Sequence, residues 1–189
     1  SVEAALQRLH AGGLAQRRVL VAGGTGPVGR VAGVMAAQSG ALVTLGGRSA
    51  ATAQQAAQEM GQRFGVAMKG AALGERGVLD GVEVVLACAA AGVQVLSGQD
   101  VAGAAQLKVA ADINAVPPEG IAGVGAMDDA KPIAGSAAVG IGALAIGNVK
   151  YQTQQRLLVQ MREAEKAVKL GVAEALAMAR AVLAETSGL

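Results

Sequence analysis

A glycine-rich hexapeptide near the start of the chain is the strongest candidate for chemistry; it consists of Gly24, Thr25, Gly26, Pro27, Val28 and Gly29. It matches the pattern G-x-G-x-x-G, follows the apolar run 18–22, which predicts a buried strand, and opens a predicted helix over 28–38. The first glycine permits a tight turn, the second lets the backbone approach a pyrophosphate, and the third lets the helix pack closely on the strand. The N–H groups at the helix start favour phosphate, and proline suits the first turn because it lacks an N–H. The alternative interpretation is a tight turn that binds nothing.

The end of the second predicted strand, residues 41–45, bears on which dinucleotide would bind. An acidic residue about 20 positions after the glycine turn would bind the ribose 2′-hydroxyl of NAD, but no Asp or Glu lies between Gly29 and Glu59. Arg48 and Ser49 follow the strand instead. A guanidinium and a hydroxyl at this place favour a 2′-phosphate. The sequence therefore predicts NADP as the cofactor, with NAD accepted as well as the open alternative.

Small residues follow the predicted strand 82–87. Ala89 and Ala90 are expected to pass beside the cofactor, because ligands of such sheets bind at the carboxyl edge. Cys88 has no base beside it in the sequence and is expected to be a small buried residue. His10 lies far along the chain from the glycine turn and is expected to be structural rather than catalytic.

Two polar residues mark the end of the predicted strand 107–112. Asp112 and Asn114 stand just before a loop that contains Pro117 and Pro118. Their side chains are expected either to hydrogen-bond the cofactor or to hold this loop in place.

The composition excludes several classes of protein and site. The 189 residues include one Cys and one His, so we expect neither a disulfide framework nor a zinc site, and we predict no metal ion. The formal net charge is only +2, and the aromatic residues are Phe64 and Tyr151 alone. Both facts argue against a nucleic-acid-binding surface. No apolar run reaches the ~18 residues of a membrane span. We therefore expect a cytoplasmic protein with neither nucleic acid nor membrane as a partner.

Short apolar runs alternate with helical stretches along the chain. The runs predict five strands, at 18–22, 41–45, 66–69, 82–87 and 107–112. Continuous apolar character is typical of strands buried on both faces, and the alternation with helices predicts an α/β fold with a doubly wound parallel sheet. The predicted organisation is a leading helix in 1–12, a Rossmann-type NADP-binding domain in 13–150, and C-terminal helices in 151–189 that pack on the domain or on a partner.

The C-terminal part carries helical periodicity. A long helix is predicted over 149–170, with Leu157, Leu158, Met161 and Val168 facing inward. A last helix is predicted over 172–186.

Three segments together resemble a known family. Residues 24–29, the stretch 111–118 (ADINAVPP) and the stretch 140–150 (GIGALAIGNVK) closely resemble the NAD(P)-dependent methylene-tetrahydromethanopterin dehydrogenases of methylotrophic bacteria. The patterns ADxNAxPP and GIGxLxxGxxK are far more specific than the glycine pattern. The resemblance runs from about Gly13 to Lys150 and is less distinct in the last helices.

The resemblance implies an enzyme of one-carbon metabolism. Family members transfer a hydride from methylene-tetrahydromethanopterin to NAD(P)+ and so form the methenyl compound, which makes a pterin one-carbon carrier the implied partner. The hydride step needs no His/Asp pair, and its catalysis would rest on positioning and on exclusion of water. Lys150 matches the lysine that ends the family's GIGxLxxGxxK segment, which implies a catalytic role for it at the reacting centre.

The family's architecture raises a question about the extent of this chain. The resemblance implies an N-terminal α/β domain, with the pterin in the cleft between two domains, and that domain is absent here. The chain is then either a fragment or a protein that has lost or separated its substrate half. The alternatives are a stand-alone NADP-binding sensor or regulatory module, and a methylenetetrahydrofolate-type NADP dehydrogenase. Apolar faces on the leading and trailing helices predict a homo-oligomer or a contact with the missing domain.

Overall fold

The computed structural model describes residues 1–10 and 12–187 of the chain. Residue 11 of the predicted leading segment and residues 188 and 189 of the predicted C-terminal segment lie outside the described residues. The elements, in chain order, are α1 (Val2–His10), β1 (Arg18–Ala22), α2 (Pro27–Gln38), β2 (Leu42–Gly47), α3 (Ala50–Phe64), β3 (Met68–Ala72), β4 (Val84–Ala87), α4 (Gly98–Gly103), β5 (Val109–Asp112), β6 (Asp129–Pro132), β7 (Val139–Ile141), α5 (Ala143–Glu163) and α6 (Val172–Ser187).

The strands of the described residues form a seven-stranded sheet in the order β3-β2-β1-β4-β5-β7-β6. Neighbouring strands run parallel, except that β6 pairs antiparallel with β7 at one edge. The chain winds outward from β1 in both directions, since β2 lies on one side of it and β4 on the other. This order confirms the predicted α/β fold with a doubly wound sheet, which is parallel apart from the β6–β7 pair. Ligands of such sheets bind at the carboxyl ends of the strands where the order reverses.

The sheet is buried on both faces, as its continuous apolar strands predict. Val19 and Val21 of β1 pack in one layer with Ala36 of α2, and residues of α1 and α3 complete that layer. Leu20 points to the opposite layer, where Val101 of α4 lies. The alternation follows from the two-residue period of a strand. Both layers are built from aliphatic side chains.

Small residues bring α3 very close to the sheet. Its buried face is made largely of alanines, which are Ala53, Ala56 and Ala57. Gly70 of β3 faces this helix, and a Cβ there would collide with the backbone of Gln54. The helix and the strand are thus in backbone contact, which leaves no room for larger side chains between them.

Several predicted bounds are wrong, and the largest error concerns the long helix. α5 covers 143–163 rather than 149–170. Leu157 faces the body of the protein as predicted, whereas Leu158 and Met161 are 64% and 49% exposed, and Val168 is 40% exposed beyond the end of the helix. The third strand was placed at 66–69 and lies at Met68–Ala72. The short elements α4, β6 and β7 carry no apolar run long enough to predict them.

The two last helices form a hairpin on the side of the sheet covered by α1 and α2. Arg156 of α5 donates to both carboxylate oxygens of Glu185 of α6, at 2.7 and 2.6 Å. Arg180 of α6 donates in the same two-pronged way to Glu3 of α1, at 3.0 and 2.8 Å. The single tyrosine, Tyr151, lies on the outer side of α5 and is 61% exposed. None of the helices in the described part of the chain combines the length and hydropathy needed to cross a membrane.

A cluster of charged side chains fixes the beginnings of three strands. It lies at the amino ends of the strands, opposite the carboxyl ends where ligands of such sheets bind. Glu83, just before β4, accepts from Lys108 at 2.7 Å, from Arg17 at 2.9 Å and from the backbone N–H of Arg18 at 3.3 Å. Burial alone would raise the pKa of Glu83, but these donors outweigh it and hold the pKa below its ordinary value of 4.5. The cluster therefore ties together the beginnings of β1, β4 and β5.

We expect Glu83→Gln to lower the urea midpoint of unfolding at pH 7. A carboxylate whose pKa is lowered by folding contributes stability above its ordinary pKa and loses it as the pH falls through the folded value. The difference between wild type and variant should therefore shrink below about pH 4.5. Circular dichroism in urea at a series of pH values measures both effects. Glu165→Gln, which changes an exposed carboxylate between α5 and α6, is the matched control. A pH-independent difference would contradict the role of the charge.

Candidate functional site

The glycine turn lies where the sheet order reverses, and its backbone is packed against the ends of two strands. Gly23, just before the predicted hexapeptide, has a φ of +80°, and a Cβ there would lie 2.6 Å from the backbone nitrogen of Ala89 after β4. A Cβ on Gly24 would lie 2.8 Å from that of Leu45 in β2. A Cβ on Gly29 would collide with the carbonyl oxygen of Gly23. The protein itself therefore demands glycine at these three positions.

Gly26 differs from the other glycines of the turn. A Cβ built on it meets nothing closer than the Gly23 carbonyl oxygen at 3.4 Å, and its φ of −77° is open to any residue. It is the N-cap of α2 and offers no side chain to the first turn, where Pro27 has no N–H. The N–H groups of Val28 and Gly29 find no acceptor among the described residues, so the helix start presents unpaired donors and a partial positive charge. This cradle fits a phosphate group of a dinucleotide.

The predicted 2′-phosphate residues stand next to this turn. β2 runs on through Gly46 and Gly47, and a Cβ on Gly47 would lie 3.0 Å from the Thr25 side chain. Arg48 follows immediately; it is exposed and makes no hydrogen bond or ion pair with the residues that the structure describes. Ser49 is the N-cap of α3, and its hydroxyl accepts from the backbone N–H of Thr52 at 3.5 Å. The fold thus brings Arg48 to the edge of the cradle with its guanidinium available.

The residues after β4 lie on the other side of the turn. The N–H of Cys88 donates to the carbonyl of Ala22 at 2.7 Å, which keeps Ala89 beside the turn, and Ala90 is exposed at the carboxyl edge. Burial, together with the nearby Asp112, raises the pKa of the Cys88 thiol to about 11. The thiol is neutral at pH 7 and therefore unsuited to nucleophilic attack.

Asp112 and Asn114 hold the loop that follows β5. The Asp112 carboxylate is buried and accepts from the N–H groups of Asn114 at 2.9 Å and Ile121 at 3.1 Å. The Asn114 side chain accepts from Gly92 at 3.2 Å and donates to the carbonyl of Pro118 at 2.7 Å. These bonds join the loop after β5 to the loop after β4. The structure thus gives both residues the loop-holding role, one of the two that the sequence left open; contact with a cofactor stays a prediction.

An apolar cavity of about 530 Å³ adjoins the glycine turn. Its floor includes Cys88 and Ile113, which follow β4 and β5, and its wall includes Val28 of α2 and Leu176 of α6. Lys150 also lines it. The cavity therefore connects the phosphate cradle with the hairpin of α5 and α6.

The setting of Lys150 differs from its prediction. The sequence placed it at the beginning of a helix, after a glycine-rich turn, whereas it lies within α5, which begins at Ala143. It is exposed at the cavity, one turn before Thr153, whose buried hydroxyl donates to the carbonyl of Val149 at 2.8 Å. Lys150 is the charged residue that α5 contributes to the lining, which is largely apolar but also includes Thr153 and Gln154 of α5 and the Glu3–Arg180 pair.

Sequence reasoning missed two parts of this site. The contribution of α6 to the cavity depends on tertiary packing, for which the sequence carries no signal. Arg30, which donates to the carbonyl oxygen of Thr25 inside the turn at 3.0 Å, was also missed. The sequence does contain a signal for Arg30. A cation in the first turn of a helix is disfavoured by the helix dipole, so an arginine there indicates a compensating contact.

We expect Gly26→Ala to weaken NADP binding and Gly29→Ala to lower the stability of the protein. The added methyl at position 26 has space in the protein, so thermal stability should stay within about 2 °C, a shift of at most about 1 kcal/mol, while the dissociation constant for NADP rises at least tenfold. The methyl at position 29 collides with the turn itself and should lower the unfolding midpoint. Differential scanning fluorimetry and calorimetric titration with NADP measure the two effects. Unchanged NADP affinity in Gly26→Ala would contradict the cradle.

No protein-family model matches the chain. Two curated relatives come from Methylorubrum extorquens AM1. The NAD(P)-dependent methylenetetrahydromethanopterin dehydrogenase is 38% identical over 184 residues, which are 94% of this chain and 62% of that protein. The bifunctional protein MdtA is 31% identical over 133 residues, which are 68% of this chain and 46% of that protein. The chain thus spans less than two thirds of the length of either relative.

Weak likenesses to solved structures include two proteins described as short-chain dehydrogenases. One from Shigella flexneri 2a is 19% identical, with 83% of this chain and 80% of that chain covered and a TM-score of 0.38. One from Salmonella enterica is 27% identical, with 40% and 37% covered and a TM-score of 0.34. At these scores the strand order, rather than the neighbours, carries the fold assignment. The sequence relationship is the stronger finding, and it supports the resemblance: over 94% of its length the chain is 38% identical to an NAD(P)-dependent methylenetetrahydromethanopterin dehydrogenase.

Proposed function

We propose that the chain is the NADP-binding part of a dehydrogenase that takes a hydride from methylene-tetrahydromethanopterin and forms the methenyl compound. The observation that carries the cofactor assignment is Gly26, whose open position is unlike that of the tightly packed Gly24 and Gly29 beside it. The observation that favours the pterin is the relationship to a curated dehydrogenase of that substrate. The chain spans 62% of that relative, so the activity is proposed for the whole natural protein.

Each part of the site has a separate task in this proposal. The N–H groups of Val28 and Gly29 bind the pyrophosphate, with the dipole of α2 behind them. Arg48 binds the 2′-phosphate through its guanidinium, with Ser49 as a second donor. Ala89 and Ala90 leave room for the nicotinamide end at the carboxyl edge of the sheet. The loop held by Asp112 and Asn114 closes that end.

In this reaction the protein has to orient the pterin and the nicotinamide, and it has no proton to transfer in the hydride step. A nicotinamide held at the carboxyl edge of the sheet would supply the hydride acceptor, and the two flanking pterin nitrogens would share the positive charge left on the one-carbon bridge. The apolar lining of the cavity beside the turn disfavours ordered water at this place. Lys150 supplies a polar contact that orients the pterin and sets the charge near its bridge. No general base is needed, which agrees with a neutral Cys88.

The direct test is NADP reduction by the longest natural polypeptide that contains this sequence. Methylene-tetrahydromethanopterin, methylene-tetrahydrofolate and a reaction without substrate are compared by the absorbance of the reduced nicotinamide. Turnover with the first substrate supports the proposal. Turnover with the folate alone would replace the pterin assignment, and NADP binding without turnover on either would favour a sensor or regulatory module.

We expect Arg48→Ala to change cofactor preference. The loss of a charge-assisted pair to the 2′-phosphate should weaken NADP binding by about 10- to 100-fold and leave NAD binding within twofold. Titration with both dinucleotides measures the ratio. Arg63→Ala, which removes an exposed arginine at the far end of α3, is the matched control. An equal loss for NADP and NAD would show that Arg48 does not bind the 2′-phosphate.

We expect Lys150→Ala to separate catalysis from cofactor binding. Turnover with the pterin should fall at least 100-fold, while the dissociation constant for NADP changes less than threefold, because Lys150 lies at the cavity and not at the phosphate cradle. Steady-state kinetics and NADP titration measure the two quantities. Lys166→Ala, on the exposed segment between α5 and α6, controls for the loss of a positive charge. Unchanged turnover in Lys150→Ala would remove this residue from the mechanism.

A further inference from the structure

The carbonyl of Thr25, inside the glycine turn, is held by a side chain of the following helix. Arg30 of α2 donates from Nε to the Thr25 carbonyl oxygen at 3.0 Å and from Nη1 to Glu59 of α3 at 2.8 Å. Gln55 donates to the other oxygen of Glu59 at 2.9 Å. One guanidinium therefore joins the turn to α3.

These contacts fix the orientation of one peptide plane. The N–H of Gly26 donates inward to the carbonyl of Gly23 at 3.1 Å, and the carbonyl of Thr25, on the opposite side of the same peptide, accepts from Arg30. The plane is thus held from both ends. If it rotated, a carbonyl oxygen would turn toward the space above Gly26, where it would repel an anion.

The positive charge of Arg30 lies at an electrostatically unfavourable place, near the start of α2. A cation in the first turn of a helix is disfavoured by the helix dipole, and α2 has no acidic residue in that turn. Glu59 supplies the compensating charge from α3, and hydrogen bonds from Gln55 and Arg30 hold its pKa below the ordinary value. Arg30 is half-buried, with 33% of its side chain exposed. The sequence therefore has an arginine at a position that the helix dipole disfavours, and this arginine contacts the turn as well as Glu59.

We propose that Arg30 is a positioning residue of the dinucleotide site, which locks the Thr25–Gly26 peptide so that no carbonyl oxygen of the turn faces the pyrophosphate beside the N–H groups of Val28 and Gly29. This inference rests on the proposed function, in that the ligand is a dinucleotide. NADP and NAD share the pyrophosphate and differ at the 2′-position. Loss of the lock should therefore weaken both by the same factor, whereas loss of a general positive charge should weaken the more highly charged NADP more.

The test measures dissociation constants of NADP and NAD for Arg30→Gln and Arg30→Lys at low salt. We expect both variants to bind both dinucleotides about tenfold more weakly, with the NADP-to-NAD ratio within twofold of wild type. Lysine keeps the charge but cannot reproduce the two-direction fork of a guanidinium. Restoration of wild-type affinity by Arg30→Lys, or a loss for NADP much greater than that for NAD, would overturn the proposal in favour of a charge effect.

A second variant separates the turn from the packing of α2 on α3. Glu59→Ala removes the link to α3 and leaves the Thr25 contact, so it should lower the thermal midpoint about as much as Arg30→Gln but change the dissociation constants less than twofold. An equal loss of affinity in Glu59→Ala would mean that Arg30 acts through helix packing, and the proposal would be wrong. If the wild-type chain binds NADP or NAD and both Arg30 variants bind as tightly, this inference alone fails. Absence of any dinucleotide binding by the wild-type chain would instead remove the proposed function.

Discussion

The site depends on the contact of three backbone segments at the centre of the sheet. The turn after β1 is packed between the end of β2 and the end of β4, so closely that Gly23 and Gly24 have no space for a Cβ beside Ala89 and Leu45. Because both contacts are made with backbone or with the base of a side chain, they allow no adjustment by rotamers. The start of α2 is therefore fixed by three adjacent strands of the sheet, β2, β1 and β4. A phosphate cradle with little freedom follows from close packing rather than from the hydrogen bonds of the turn alone.

Small residues also allow close backbone packing elsewhere in the protein. The alanine face of α3 meets Gly70 of β3 at backbone distance, and the two apolar layers contain aliphatic side chains. Close approach of helices to the sheet compensates for the small contribution of each side chain. Van der Waals contact between backbones is then a substantial part of the packing energy.

The parts of the fold that the sequence predicted are those encoded by local patterns. Buried strands such as β1 and β4 are continuous apolar runs, and the glycine turn has a fixed spacing between a strand and a helix. The start of α5 has no such signal, because 143–148 contains small residues and a glycine. It is set from elsewhere in the chain: the N–H of Leu144 donates to the carbonyl of Ala126 at 2.8 Å, and Gly142 lies in backbone contact with Gly125.

The candidate site divides in the same way. The positions of Gly26 and Arg48 in the fold could be predicted, since each has a set distance from the strand before it. The partners of Asp112 could not, because Ile121 reaches its carboxylate only after the loop has folded back. The link from Arg30 to Glu59 spans 29 residues and joins two helices whose packing no periodicity reveals. Local chemistry was thus visible in the sequence, while the contacts that orient it were not.

The scarcity of aromatic residues has an optical consequence. The chain has no tryptophan, and its single tyrosine, Tyr151, stands on the exposed side of α5 next to Lys150, with its hydroxyl accepting from Gln155 at 2.8 Å. Ultraviolet fluorescence from this chain therefore reports on one surface position rather than on an average over the core. Any molecule or protein surface that comes to rest on this part of α5 changes the surroundings of that single fluorophore.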